Sequence, residues 1–533
     1  MQFSSLLSAT TAALWVQAAV ASALIPHDAY GKRQEDASLS GSSFELDAAS
    51  APLTFTYTTD SADDTNWIAL WAVGDGPVDA QATAPALVWE YTPGSEGAVQ
   101  LSVDDLHPGD YVAYFLAEDG YESLADPVEF AFEGLAPDLY FPVEEATLHN
   151  ARQGESYVAR LGGLVLGVGN GTVGFDKASG DDWLHVADDG TITGTPGCKC
   201  PEKSHAEVLV TADNGSSARL RVVIPVRRRR QPLVDRLAVM SYNTWMGGTH
   251  VHNYHEKQLR FILESGADII GLQEAAAGDH VVRLSEGLGW HYWQSNRSVG
   301  ILSRYPIVEE YGEVDPVDVP VEETKISPGG GVRIGLNGES KAKSEVNVWS
   351  AHLSYQPYGP YDFCFDNMTE EEVLEREGFS GRPGQMQGIL TRLESQLADS
   401  SNVPVILVGD MNAPSHLDWI EALREKNCGI ADNYPWPTSI LPTDAGLIDS
   451  FRVAHADAAR EQCLSWSPIY PFNEGSTGAP EPQDRIDFVY GTAELRVQSS
   501  ECLVAGEPRP VPDHEDNEWT SDHLAVLTHY RLS

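Results

Sequence analysis

The sequence predicts an α/β domain over residues 235–533, preceded by two all-β sandwich domains over residues 40–135 and 136–226. Short apolar strands separated by Gly- and Pro-rich turns fill the first part of the chain, as is typical of β-sandwiches. After residue 235, strand-like apolar runs alternate with segments of helical spacing, which indicates a layered α/β domain. Four consecutive arginines followed by Gln-Pro predict an exposed linker at 227–234.

The α/β domain is predicted from a regular series of apolar segments. Strands are expected at 237–242, 268–272, 299–302, 346–351, 403–408, 486–490 and 524–530. Helices are expected at 255–264, 385–397 and 417–424.

The second β domain carries a short recognisable motif. The stretch from Gly180 to Leu184, followed by Asp189 to Pro196, resembles cadherin-like and immunoglobulin-like repeats. Its glycines supply positive φ at turns, and Pro196 ends a strand. The acidic pairs of this region are interpreted as solvated turns, with calcium binding as the weaker alternative.

The N-terminus predicts a secreted, extracellular protein. An apolar run from Leu6 to Val20 is too short to span a bilayer, and Ala21-Ser22-Ala23 has the small-residue pattern of a cleavage site. Residues 1–23 are therefore interpreted as a signal peptide, and no transmembrane segment is expected. Lys32-Arg33 either marks a processing site, which would make residues 24–33 a propeptide, or is a chance surface pair.

Cysteines and glycosylation motifs agree with secretion. Sequons occur at Asn170, Asn214, Asn296 and Asn367. Six cysteines can form three disulfides, and the sequence does not choose among the pairings. The cysteines are Cys198, Cys200, Cys364, Cys428, Cys463 and Cys502. The domain division favours pairing Cys198 with Cys200 and the other four among themselves.

The chain is strongly acidic, with 34 Lys and Arg against 79 Asp and Glu and a formal charge of −45. The mean field of such a chain repels polyanions, which argues against a general nucleic-acid-binding surface. A phosphate substrate remains compatible with this charge, because bound cations invert the local sign of a site.

Polar residues follow or begin the apolar strands of the α/β domain at six places. They are Asn243, Glu274, His352, Asp410 with Asn412, Asp487, and Asp522 with His523. Because strand ends are where sites assemble in α/β sheets, these side chains are expected to meet. Carboxylate and amide oxygens suit hard cations such as Mg²⁺ or Mn²⁺, and the two histidines add acid–base capacity.

The ordered motifs resemble the endonuclease/exonuclease/phosphatase superfamily with its DNase I-like fold, and the chain resembles fungal secreted members. The motifs are Tyr242-Asn243-Thr244-Trp245, Gly271-Leu272-Gln273-Glu274, Gly300-Ile301-Leu302-Ser303, Gly409-Asp410-Met411-Asn412, Arg485-Ile486-Asp487 and Ser521-Asp522-His523. The resemblance covers nearly all of 235–533 and implies a two-sheet α/β sandwich with its site at one edge.

The resemblance also implies a role for each motif residue. Glu274 would be the principal metal ligand, helped by Asn243 and Asp522, with Mg²⁺ or Mn²⁺ as the cofactor. Asp410 and Asn412 would position the attacking water and the phosphoryl oxygens. His523, oriented by Asp487, would be the acid–base group, and His352 would hydrogen-bond the phosphoryl group.

Two further clusters are weaker signals. His250, His252 and His255 are interpreted as a loop at the rim of the site, with a second metal site as the lesser alternative. The aromatic segment from Tyr355 to Phe365 either stacks on a sugar, base or choline-like head group or is a packed loop held by Cys364.

These observations predict a secreted, divalent-metal-dependent hydrolase of phosphate esters, acting as a phosphodiesterase or phosphatase. Its substrate is expected to be small or a lipid head group. Ala276 stands where DNA-cleaving relatives carry a basic residue, so an extracellular nuclease is the less favoured alternative. An adhesion protein with a decayed site is the alternative from another class, and the complete set of site residues argues against it.

Overall fold

The structure is a computed structural model. It describes residues 24–26, 41–47, 53–78, 80–81, 85–102, 106, 109–132, 139–168, 171–275, 279–338, 344–430, 434–473 and 477–532. The proposed cleavage sites near residues 23 and 33, the sequon at Asn170, and Ala276 lie outside the described residues. No helix in these ranges is long and apolar enough to cross a membrane.

The chain forms two compact units. One contains Met1–Asp138 with Gly167–Thr172 and Asp213–Ser216, and the other contains Leu139–Leu166, Val173–Ala212 and Ser217–Ser533. The second unit therefore combines most of the second β region with the α/β domain.

The first unit is a β-sandwich. Its strands are β1 Leu24–Pro26, β2 Ser43–Leu46, β3 Thr54–Thr58, β4 Trp67–Ala72, β5 Val88–Tyr91, β6 Glu96–Gln100, β7 Gly109–Leu116 and β8 Val128–Phe132. One sheet has the order β1-β8-β7-β4-β5 and the other β2-β3-β6. Phe55 from the smaller sheet packs with Phe115 and Phe130 from the larger one in a shared apolar core.

The second β region contributes eight strands to the second unit. They are β9 Glu145–Thr147, β10 Ala151–Arg152, β11 Tyr157–Arg160, β12 Val173–Gly180, β13 Leu184–Val186, β14 Thr191–Gly194, β15 Lys203–Ala212 and β16 Ser217–Arg227. One sheet runs β10-β16-β15-β12 with β9 also pairing β16, and the other runs β11-β14-β13. Alternate residues of β15 are buried, as expected for a sheet with one face on a core.

The α/β domain contains fourteen strands among the described residues. They are β17 Arg236–Asn243, β18 Ile269–Gln273, β19 His291–Gln294, β20 Gly300–Ser303, β21 Ile307–Glu313, β22 Val317–Val319, β23 Thr324–Ile326, β24 Gly329–Gly335, β25 Glu345–His352, β26 Val405–Asp410, β27 Ile448–Asp449, β28 Asp487–Gly491, β29 Arg496–Leu503 and β30 Ala525–Arg531. The α-helices are α1 Tyr254–Ser265, α2 His280–Leu288, α3 Gly359–Cys364, α4 Glu370–Ser380, α5 Arg382–Ala398, α6 Pro437–Asp444 and α7 Ser450–Ala454.

Two six-stranded sheets pack face to face, which confirms the predicted two-sheet α/β sandwich. Their orders are β19-β20-β18-β17-β30-β29 and β21-β24-β25-β26-β28-β27. Val239 and Ile269 of the first sheet meet Val348 and Ile406 of the second in the central core. On the outer face of the second sheet, Met386 and neighbouring residues of α5 pack against that sheet.

The predicted strands of this domain are all present within two residues of their expected ends, as is the helix at 255–264, and the helix at 385–397 begins three residues earlier than predicted. The helix predicted at Leu417–Arg424 is wrong, because only a 3₁₀ turn forms there, at Glu421–Leu423. The Asp418 carboxylate is bound by Arg452 and Arg485, and its carbonyl accepts a bond from the Asn427 amide. These tertiary contacts override the helical spacing.

Two disulfides form in the α/β domain, Cys364–Cys428 and Cys463–Cys502, so these four cysteines do pair among themselves. The expected Cys198–Cys200 bridge is wrong, because both thiols are free. They lie in a turn closed by a bond from the Cys200 N–H to the Gly197 carbonyl.

Buried arginines join the second β region to the α/β domain within the second unit. Arg152 is 4% exposed, and its guanidinium binds the Glu155 carboxylate at 2.8 Å and the Asn337 side-chain oxygen at 2.6 Å. Arg304 donates to the Thr147 carbonyl at 2.5 Å. The α/β domain is therefore anchored to the β region by charged side chains that are buried on folding.

We predict that Arg152→Ala destabilises the protein by about 3 kcal/mol, because it leaves the Glu155 carboxylate without its buried partner. Equilibrium unfolding in urea measures this change. Arg219→Ala is the matched control, since its ion pair with Glu207 is solvent-exposed and should contribute at most about 1 kcal/mol. Equal losses in the two variants would contradict the anchoring role.

Candidate functional site

The site lies at one edge of the two-sheet sandwich. Asn243 ends β17 and Glu274 follows the parallel strand β18, while His352 and Asp410 are register partners at the ends of the parallel strands β25 and β26. Asp487 begins β28, which runs antiparallel to β26. In this pairing Asp487 lies opposite Asp410. The ends of parallel strands and the starts of antiparallel ones thus meet at the same edge.

Two site residues have left-handed backbone conformations. Glu274 has φ 53° and Asn412 has φ 47°, a region that non-glycine residues rarely adopt. Glu274 directly follows the buried strand β18, and Asn412 lies two residues after the end of the buried strand β26. Strain of this kind costs on the order of 1–3 kcal/mol and concentrates at functional sites.

His523 and Asp487 form a buried pair. His523 Nδ1 lies 2.9 Å from Asp487 Oδ2, and the two residues are 3% and 0% exposed. The backbone around His523 is held by the Ser521 hydroxyl, which accepts from the His523 N–H at 3.0 Å, and by Trp519 Nε1, which donates to its carbonyl. This pairing directs His523 Nε2 toward the other site residues.

Asp410 occupies the centre of the cluster. Its Oδ2 lies 3.7 Å from His523 Nε2 and 3.7 Å from His352 Nε2. The Asn412 backbone N–H donates to its Oδ1 at 2.9 Å, and the Asn243 amide donates to its Oδ2 at 3.0 Å. One carboxylate therefore contacts both histidines and both asparagines.

Asn243 hydrogen-bonds two of the acidic residues. Its Nδ2 donates to Glu274 Oε1 at 3.2 Å as well as to Asp410, whereas its Oδ1 accepts from the Trp245 N–H at 3.0 Å. Glu274 Oε2 accepts from the Met246 N–H at 3.0 Å. The loop after β17 thus fixes both the amide and the glutamate.

His352 lies between Ser298 and the acidic residues of the site. Its Nδ1 lies 2.6 Å from the Ser298 hydroxyl, and its Nε2 lies 4.0 Å from Glu274 Oε1. The eight predicted residues are therefore brought together at one edge of the fold.

Burial and mutual repulsion alter the acidity of this cluster. Burial, together with the nearby charges of Glu274 and Asp410, raises the pKa of the Asp522 carboxyl to about 7, against the opposing effect of His523. Burial and the neighbouring Asp487 raise the pKa of Asp410. The carboxylates of Asp487 and Asp410 raise the pKa of His523 well above its ordinary value, although its burial acts in the opposite direction.

Comparison with known proteins agrees with this arrangement. The model of the Endonuclease/Exonuclease/phosphatase family matches residues 240–523, which is more than half of the chain and contains every site residue. The chain belongs to this family. The superfamily resemblance and the DNase I-like fold expected for the C-terminal region are therefore confirmed.

Individual relatives are distant. An uncharacterized protein of Caenorhabditis elegans is 28% identical over 305 residues, covering 55% of this chain and 91% of that protein. Truncated TDP2 of the same organism is 14% identical over 56% of this chain and 98% of that chain, with a TM-score of 0.35. An AP endonuclease from Archaeoglobus fulgidus is 15% identical over 55% of this chain and 98% of that chain, with a TM-score of 0.33.

Members of the endonuclease/exonuclease/phosphatase family use divalent metal ions, and the residues of this chain fit such an ion. Asp522 Oδ1 and Asp487 Oδ1 are buried without a hydrogen-bond partner. Within the described part of the chain, the ion pairs of Glu274, Asp410, Asp487 and Asp522 involve only His352 and His523. A cluster with excess negative charge and oxygen donors suits Mg²⁺ or Mn²⁺.

The tightest group of ligand atoms is not the one expected from the family. Among the described residues, the side chains whose ligand atoms lie within 4.8 Å of one another are Asp410, Asp487 and His523. His523 Nδ1 and Asp487 Oδ2 of this group are already bonded to each other, and the ligand roles expected for Glu274 and Asp522 stay predictions. Asn243 lies beside them, with its amide oxygen engaged by Trp245.

Two contacts at the site carried no signal in the sequence. Ser298, which binds His352, lies in a loop before β20, and the ring of Trp466 lies 5.1 Å from the ring of His523. Both contacts join segments that are far apart in the chain. Ser298 is the third residue of the sequon at Asn296, but that motif does not indicate a contact with His352.

The two secondary clusters have different outcomes. His250 stacks on Trp245, His252 pairs with Asp516, and His255 lies in helix α1, so that among the described residues these histidines do not form a group of metal-ligand atoms. Within the aromatic segment, Phe363 packs in a core with Trp419 and Trp436, as a packed loop would. Its tyrosines instead line a cavity next to Asn412.

We predict that, in the absence of metal, the free energy of unfolding of Asp522→Asn rises relative to that of the wild type between pH 4 and pH 7. The pKa of Asp522 is raised from 3.8 to about 7, so protonation stabilises the folded wild type below pH 4, and this contribution is lost as the pH rises through 7. Urea unfolding of both proteins with a chelator at pH 5 and pH 8 measures the difference. Mg²⁺ should remove this difference in stability between the two proteins. A difference that changes with neither pH nor Mg²⁺ would contradict the electrostatic interpretation.

Proposed function

We propose that this chain is a secreted, divalent-metal-dependent hydrolase of phosphoric esters, acting as a phosphodiesterase or phosphatase. The observation that carries the proposal is the buried His523–Asp487 pair beside the carboxylates of Glu274, Asp410 and Asp522. An acid–base pair next to oxygen ligands is the equipment that cleavage of an anionic ester requires. The predicted signal peptide, the sequons and the disulfides support secretion.

The residues fit the chemistry of phosphoryl transfer. A divalent ion held by Glu274 and Asp522, with Asn243 beside them, would neutralise charge on a non-bridging phosphoryl oxygen. His352 would donate to another phosphoryl oxygen, which gains charge in the transition state. Ser298 holds the His352 ring in place for this contact. The Asn412 amide donates to Asp410 and to the Leu353 carbonyl and would hold the Asp410 carboxylate in place.

The proton transfers follow from the geometry around Asp410. A water positioned by Asp410 and Asn412 attacks phosphorus, so that a P–O bond forms while the bond to the ester oxygen breaks. The Asp410 carboxylate takes a proton from the water, and His523 Nε2 gives a proton to the departing alcohol. Asp410 Oδ2 lies 3.7 Å from His523 Nε2, so one bridging water, or a small approach of the two groups, would return the proton from Asp410 to His523 and complete the cycle.

We predict that His523→Ala lowers kcat on a chromogenic phosphodiester by ~10²–10⁴-fold, because it removes the group that protonates the leaving alcohol. Asp487→Asn should be nearly as damaging, since the imidazole loses its orienting partner. A chelator should abolish the activity, and Mg²⁺ or Mn²⁺ should restore it.

The same assay includes a matched control. His252→Ala removes an exposed histidine that pairs with Asp516 outside the site, so its kcat should stay near that of the wild type. Chelator-resistant hydrolysis, or near wild-type turnover of Asp487→Asn, would refute the proposal.

We also predict that compact phosphate esters are better substrates than duplex DNA. Duplex binding draws much of its affinity from Lys and Arg side chains, and this chain carries a formal charge of −45. The kcat/KM values for plasmid DNA, a phosphomonoester and a small diester at matched Mg²⁺ decide the question. Plasmid cleavage at physiological salt that exceeds both small substrates would favour the nuclease alternative.

A further inference from the structure

A small aromatic cavity adjoins the candidate site. It has a volume of about 100 Å³ and is lined by Tyr355, Tyr358, Tyr361, Asn412, Trp466 and Ile486. Two of these residues also belong to the catalytic edge, because Asn412 contacts Asp410 and the Trp466 ring lies 5.1 Å from the His523 ring. A substrate whose phosphoryl group lies beside Asn412 therefore has the cavity within reach of one of its ester substituents.

Three of the four aromatic walls, those of Tyr358, Tyr361 and Trp466, are held by contacts behind the cavity, whereas Tyr355 is exposed. The rings of Tyr358 and Tyr361 pack edge to face, with centroids 4.9 Å apart and planes at 83°. The Tyr361 hydroxyl and the Trp466 indole N–H both donate to Oε1 of Glu481, at 2.5 Å and 2.8 Å. The shape of the cavity is thus set by hydrogen bonds behind its walls.

Two buried carboxylates lie behind the walls of the cavity. Glu481 is 6% exposed, and its other oxygen accepts from the Asn473 amide at 3.0 Å. The Tyr358 hydroxyl donates to Asp484, which is 4% exposed and has Lys426 3.9 Å away. Within the described residues, Glu481 has no cationic partner. No neighbouring positive charge therefore offsets its effect on the rings of Tyr361 and Trp466, which donate hydrogen bonds to it.

The walls also offer few free hydrogen-bonding groups. The polar atoms of Tyr358, Tyr361 and Trp466 point away from the cavity to Glu481 and Asp484, and the Asn412 amide donates to Asp410 and to the Leu353 carbonyl. A sugar or a nucleobase would need to find partners for its own polar groups here. A cation without N–H donors needs none, and it is attracted by the ring faces.

We infer that this cavity binds a quaternary ammonium group carried by the phosphoric ester substrate. The inference rests on the proposed function and names its substrate class: esters of a phosphorylated amino alcohol whose nitrogen is fully methylated. Electron-rich rings, a buried unpaired carboxylate and the volume of a single compact group all favour this ligand over a planar base or a polar sugar.

The experiment compares two substrates that differ in one atom. p-Nitrophenyl phosphocholine carries the trimethylammonium group, and p-nitrophenyl 3,3-dimethylbutyl phosphate has carbon in place of the charged nitrogen. The full-length protein with Mg²⁺ should show a kcat/KM about tenfold or more higher for the cationic ester, since a desolvated cation–π contact contributes on that scale. Tetramethylammonium chloride should inhibit hydrolysis of the cationic ester competitively.

Two variants test the walls. For each, the kcat/KM for the cationic ester is divided by the kcat/KM for its carbon analogue, because this ratio does not depend on the amount of folded protein. Glu481→Gln removes the charge while keeping an oxygen acceptor, and Tyr361→Leu removes one aromatic face. Each should bring the ratio close to one. Tyr292→Leu, which removes an exposed tyrosine outside the cavity, should keep the wild-type ratio.

The outcomes separate this inference from the proposed function. Hydrolysis of bis(p-nitrophenyl) phosphate without any preference for the cationic ester overturns the cavity assignment and leaves the proposed function intact. If no ester is hydrolysed, the proposed function fails, and calorimetric binding of tetramethylammonium then decides the cavity alone. Binding to the wild type that weakens about tenfold in Glu481→Gln supports the assignment, and equal or undetectable binding overturns it.

Discussion

The arrangement of this site depends on the burial of several carboxylates at one edge of a two-sheet core. Asp410, Asp487 and Asp522 are at most 6% exposed, and the partly buried Glu274 lies beside them. Grouping like charges away from water is unfavourable unless they are paired. His523, His352 and the Asn243 amide satisfy part of this demand. The divalent cation of the proposed function would neutralise the remaining negative charge, and it would reconcile a mean field that repels polyanions with a phosphate ester at the site.

Much of the fold and of the site could be predicted because both depend on local patterns. Apolar runs of strand length, such as 237–242 and 403–408, form strands in the structure. Both faces of each strand are buried, because layers of the domain pack on either side of its sheet. The polar residue that ends each run must then lie at the sheet edge. The convergence of Asn243, His352 and Asp410 follows from this rule together with the strand directions.

The features that sequence could not predict are those made by distant segments. The shared acceptor Glu481 joins Tyr361 to Trp466 across more than a hundred residues, and Ser298 reaches His352 across 54. At Leu417–Arg424 the ion pairs of Asp418 outweigh helical spacing. Such contacts depend on which loops the tertiary fold brings together, and no periodicity in the chain encodes them. The cation cavity is of this kind, since its walls and its carboxylates come from separate segments.

The central claim is that the carboxylate cluster holds one divalent ion, and direct metal binding tests it without relying on turnover. Mn²⁺ titration followed by electron paramagnetic resonance should show one site in the wild type. Binding should weaken by about tenfold or more in Glu274→Gln and in Asp522→Asn, because each removes an anionic oxygen ligand. Glu286→Gln, an exposed substitution on α2, should bind as the wild type does. Unchanged Mn²⁺ affinity in both site variants would contradict the account.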